Sequence, residues 1–99
     1  MIVTVFRNRL RPDVQSTYQP TLNRMLELAT AMPGFVATKT FVAEDGERAT
    51  LVEFADEASH QAWGHHPEHV QAQAQGRDAF YAEYKLQVCQ VLRESSFKA

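Results

Sequence analysis

The amino-acid sequence predicts an α+β domain of the ferredoxin-like plan: a four-stranded antiparallel sheet carrying its helices on one face. Three observations predict it. Runs rich in β-branched and aromatic residues stand at 2–9, 35–42, 48–54 and 84–93. Apolar residues at helical spacing fill 14–32, between the first two runs. A second helical stretch begins near Asp56, between the last two. The resulting order is β-α-β-β-α-β.

Each element follows from its residues. In the first strand Ile2, Thr4, Phe6 and Asn8 line one face, and Val3, Val5, Arg7 and Arg9 the other. Arg11-Pro12-Asp13 breaks that strand and offers Asp13 as an N-cap. Val14, Tyr18, Leu22, Met25, Ala29 and Met32 repeat every three or four residues, so a long amphipathic helix follows. Pro20 removes a backbone donor and predicts a kink or a delayed start. Pro33-Gly34 ends the helix, because glycine accepts the left-handed conformation a helix stop often needs. Asp45-Gly46 between the second and third strands is a hairpin signal. Asp56 is placed to cap the second helix, and Glu57 to favour its positive end. Gly64 and Pro67 interrupt that helix, with a restart at Pro67 or Glu68 and closure at Gly76. The last strand, Tyr84–Arg93, sets Tyr84, Leu86, Val88 and Leu92 on one face.

Composition bounds the function. Ninety-nine residues make one domain over 1–99, and a chain of that size buries only about 60–70% of its unfolded surface. A net charge of −2 supplies no basic footprint for nucleic acid. No apolar stretch approaches the ~20 residues of a membrane span, and the N-terminal run lacks the form of a signal peptide. The single cysteine, Cys89, excludes an internal disulfide and suits a reducing compartment, so a cytoplasmic location is expected. The strands carry apolar residues on both faces: Val3 with Ile2 and Phe6, Val36 with Phe35 and Phe41, Leu51 with Val52 and Phe54. The sheet face that the helices leave bare therefore wants a cover, and a second copy of the chain is expected to supply it as a face-to-face homodimer.

The densest chemistry lies in Trp63-Gly64-His65-His66-Pro67-Glu68-His69. A neutral histidine is the natural base for a phenolic proton near pH 7. His69 is the first candidate because it opens the continuing helix, and His66 the second because Pro67 holds it in an extended turn. His65 and His69 have the i, i+4 spacing of a metal pair, but Gly64 and Pro67 disrupt the helix that would enforce it, so no metal is expected. Trp63 is either an aromatic wall for a ligand or a core residue. Asn8 is a carboxamide on a mostly apolar strand face, suited to a substrate oxygen or to a strand end. Phe6, on the same face, and Tyr81 and Tyr84, at the entry to the last strand, are candidate substrate contacts. Arg77 would neutralise an enolate or form a surface ion pair. Cys89 reads as a small buried hydrophobe.

Met32-Pro33-Gly34-Phe35, the Asp45-Gly46 hairpin, Trp63 followed by His66-Pro67-Glu68-His69, and Gly76-Arg77 with Phe80-Tyr81 together resemble the antibiotic biosynthesis monooxygenase domains of the dimeric α+β barrel superfamily. The resemblance covers nearly the whole chain. It implies oxygen insertion into electron-rich aromatic polyketides without a cofactor, the deprotonated phenol or enol itself reducing O2. A narrower resemblance, to the haem-degrading members, matches Asn8 and Trp63. The haem-ligating histidine of that group falls on Gln73, which argues against haem degradation. The leading expectation is a cofactor-independent monooxygenase acting on a small aromatic phenol. The alternatives are a non-enzymatic small-ligand-binding or stress-associated dimer, and an isomerase or lyase of the same superfamily.

Overall fold

A computed structural model describes residues 1–99. Its elements are β1 (Ile2–Leu10), α1 (Gln15–Thr30), β2 (Phe35–Val42), β3 (Arg48–Phe54), α2 (Glu57–Gly64), α3 (Pro67–Gln75) and β4 (Tyr81–Gln90), with a π-helical turn at Gly76–Phe80 joining the last two. The four strands form one antiparallel sheet in the order β2-β3-β1-β4. All three helices lie on one face, so the ferredoxin-like α+β plan holds.

The local signals act as their chemistry requires. Asp56 accepts a 2.8 Å hydrogen bond from the Ser59 amide and starts α2. Gly34 takes φ +82° after α1, and Gly46 takes φ +89° in the hairpin, where its amide reaches Ala43 O. Three expectations need correction. Asp13 is not a cap: it adopts φ 61° itself, and Val14 precedes the helix with no side-chain cap bond. The α1 helix passes through Pro20 unbroken from Gln15; only the bond to the Ser16 carbonyl is forfeited, and packing of the apolar face outweighs it. The last strand begins three residues early and ends at Gln90, because Tyr81 pairs with Leu10 across a bulge at Arg9/Leu10. Leu92 is left in the C-terminal tail, 87% exposed.

The register decides what each face carries. Ile2, Thr4, Phe6 and Asn8 oppose Phe54, Val52, Thr50 and Arg48 on the helix-covered side. A bulge between Phe35 and Ala37 shifts β2, so Phe35 pairs with Phe54 whereas Phe41 pairs with Ala49 on the bare face. That face also presents Val3, Val5 and Leu51, crossed by the ion pairs Arg7–Glu47 and Arg9–Asp45, each 2.8 Å. Only ten residues are buried, and the core is a small cluster of Ala29, Phe54 and Trp63. The helices do not roof β4. Tyr84, Leu86 and Val88 lie on the helix side of the sheet yet remain about half exposed, and a cavity opens there.

Candidate functional site

The cavity lies between the helices and the sheet and holds about 400 Å3. Its walls are mainly apolar, including Leu22, Met25 and Leu26 of α1, Trp63 of α2, Phe6 of β1 and Leu86 of β4. Such a space suits a small apolar ligand oriented by a few polar groups.

Trp63 sits at the join of core and cavity. It packs on Ala29 and Phe54 and is 7% exposed. His69, one turn into α3, stacks on it with ring centroids 4.3 Å apart and planes 13° from parallel. The Nδ1 of His69 lies 3.1 Å from the Trp63 carbonyl oxygen. A carbonyl only accepts, so in neutral His69 Nδ1 carries the proton and Nε2 keeps the lone pair. Burial, assisted by the neighbouring charges of His66 and His60, holds the His69 pKa below its ordinary 6.5, against the opposing effect of the carbonyl bond. Near pH 7 the ring is therefore a neutral, oriented acceptor. The α3 helix that carries it is tied to α1 by a two-pronged Arg24–Glu68 pair at 3.0 and 3.1 Å.

His66 is placed differently. Its Nδ1 accepts from the Glu68 amide at 3.2 Å and caps α3, and it does not line the cavity. His65 closes α2 on the exposed side. No three His, Cys, Asp or Glu residues are grouped to hold a metal ion.

Asn8 stands apart from this pair. It is 1% exposed, but it belongs to the opposite end of β1 from Trp63 and does not line the main cavity. Of Asn8, Trp63 and His69, only the last two stand together in the cavity wall. Between Ile2, beside the Trp63 core, and Asn8 the strand runs about 20 Å at ~3.3 Å per residue. Asn8 instead opposes Arg48 on one side and Tyr84 on the other. Neither atom of its carboxamide, nor Nε of Arg48, has a hydrogen-bond partner.

Phe6, Tyr81, Tyr84 and Arg77 all line the cavity, as does Gln73. Phe6 lies 5.3 Å from Tyr81 edge-on and 5.5 Å from Tyr84, forming an aromatic corner. Arg77 is exposed at the rim. Cys89 is exposed rather than buried, because it pairs with Val3 and so lies on the bare face of the sheet. Sequence reasoning missed Tyr18, which fell into the apolar stripe of α1. Its hydroxyl, the one polar group on that stripe, was the available signal.

Residues 1–75 match the profile described as antibiotic biosynthesis monooxygenase. The chain belongs to that family. It is 29% identical over 94 residues to the uncharacterized protein YqjZ of Bacillus subtilis (strain 168), covering 95% of this chain and 82% of that one. Among solved structures, Rv0793 from Mycobacterium tuberculosis superposes with a TM-score of 0.83 at 20% identity, over 96% of this chain and 98% of its own. SnoaB, a cofactor-independent oxygenase from Streptomyces nogalater, superposes with a TM-score of 0.79 at 12% identity over 94% of each chain. At these identities the superpositions speak for the fold alone.

Proposed function

We infer that this family member is a monooxygenase that oxidises an electron-rich aromatic phenol or anthrone-type compound with O2 and without a cofactor. The observation that supports it most directly is the stacked Trp63–His69 pair, with a free Nε2 in the wall of an apolar cavity. Trp63 offers a flat face for an aromatic ring. His69 Nε2 takes a proton from the substrate, and the resulting carbanion or phenolate donates electrons to O2. Recombination gives a hydroperoxide on carbon, and loss of water leaves a carbonyl. The balance is a CH2 group plus O2 giving C=O plus water, so no outside reductant is consumed. Apolar walls keep the anion poorly solvated and reactive. Arg77 at the rim and Tyr84 on β4 are positioned to meet oxygen substituents of the substrate.

Oxygen uptake with anthrone tests the reading. Uptake with stoichiometric anthraquinone, greatly reduced by His69→Gln, is the expected result. Tight binding of anthrone with no uptake above the buffer rate would leave a ligand-binding protein instead.

The bare sheet face supports assembly as a two-fold homodimer. Val3, Val5, Leu51 and Phe41 lie on it, and the small core of one chain leaves much for association to stabilise.

A further inference from the structure

The end of the cavity away from His69 carries a second polar arrangement. Tyr18 of α1 lines the cavity and is 4% exposed, so its hydroxyl is enclosed. Tyr81, at the start of β4, donates to that hydroxyl over 3.4 Å. Burial, together with the bond to Tyr18, pushes the Tyr81 hydroxyl far above the ordinary phenol range, so it stays protonated. Tyr18 is thereby committed as an acceptor on one side, and its own O–H is left to point at another acceptor. None is present among the protein's hydrogen-bonded groups. The ring is held on three sides: Phe80 and Tyr81 meet it edge-on at 5.4 and 5.8 Å, and the Arg48 guanidinium lies 5.5 Å from its centroid. Arg48 forms no ion pair. A cation against a phenol ring, and a hydrogen bond received at its oxygen, both strengthen its O–H as a donor. Asn8 and Arg48, beside it, hold the buried side-chain polar atoms that lack partners, so the polar chemistry of this end is not satisfied internally.

We propose that Tyr18 is the second recognition point of the cavity, its hydroxyl donating to an acceptor oxygen of the bound aromatic ligand. The assignment rests on the cavity being the ligand site, and it deepens that reading by naming a second residue that orients the ligand.

Trp63 is the only tryptophan and lies in the cavity wall, so quenching of its emission reports occupancy. Two probes serve: anthraquinone with one terminal hydroxyl, and anthraquinone with a hydroxyl at each end. Both are already oxidised, so binding is read without turnover. Wild type is expected to bind the doubly hydroxylated probe about five- to tenfold more tightly. Tyr18→Phe, which keeps the ring and its packing, is expected to erase that preference while binding the singly hydroxylated probe within twofold of wild type. Tyr81→Phe leaves the Tyr18 hydroxyl in place and is expected to retain a preference above twofold. A preference that survives Tyr18→Phe, or one that Tyr81→Phe erases as completely, would overturn the assignment to Tyr18. Absence of quenching by either probe would overturn the cavity reading itself, and Tyr18 with it.

Discussion

Replacing His69 by glutamine removes the free imidazole lone pair while leaving an amide N–H of similar reach for the Trp63 carbonyl. A positioned general base contributes about 10^2–10^4 in rate, equivalent to about 3–5 kcal/mol of barrier. The stability change should be smaller. The stack on Trp63 at 4.3 Å contributes about 1 kcal/mol and the bond to the carbonyl about another. His69→Ala should then cost about 2 kcal/mol and His69→Gln about half of that, still leaving a folded protein. The assay is oxygen uptake with anthrone across pH, alongside thermal unfolding. In wild type the rate should be flat above the ordinary histidine pKa of 6.5 and fall only at more acid pH, because burial lowers the His69 pKa and the neutral ring is the active form. The same sign governs stability: the folded state disfavours the proton, so this contribution is complete above 6.5 and is lost as the pH falls through the folded value. A His69→Gln enzyme within tenfold of the wild-type rate, or one with an unchanged acid limb, would refute His69 as the base.

Other perturbations test the frame around the site. Gly34→Ala forces a side chain into a left-handed conformation and brings its Cβ to 2.5 Å from Ser59 Cβ, at the start of α2; a loss of about 2–3 kcal/mol is expected by denaturant titration. Phe54→Ala empties a fully buried core position and should cost about 3–5 kcal/mol, enough to lower the midpoint of thermal unfolding steeply. Light scattering should give twice the 11.2 kDa chain mass at micromolar concentration, with about 2,000 Å2 or more buried between copies. A stable species at the chain mass would remove the dimer. Glutamate in place of Val5, at the middle of the bare face, should shift the scattering mass toward the single chain without disturbing the helix-side cavity.

Features written by local chemistry were legible in the amino-acid sequence. Asp56 caps α2 because a side-chain oxygen meets an amide three residues on. Gly34 and Gly46 turn the chain because they accept positive φ. Strand alternation and helix spacing gave the element order, and motif resemblance led to the family and to Trp63 with His69. What remained depended on register and on rotation about helix axes. His66 and His69 differ by three residues, yet one caps a helix and the other faces the cavity, since the break at Gly64–Pro67 resets the helical phase. Asn8 shares a strand face with Phe6, but only the paired sheet shows it beside Arg48 and remote from Trp63. Phe41 was moved to the bare face by a bulge that no periodicity announces. Tyr18 looked like one more apolar residue of α1 until tertiary packing set Tyr81 and Arg48 against it. Spacing along the chain determines local structure, because backbone hydrogen bonds reach only a few residues. The polar partners of an enclosed side chain come from distant segments, so the completed fold alone decides them.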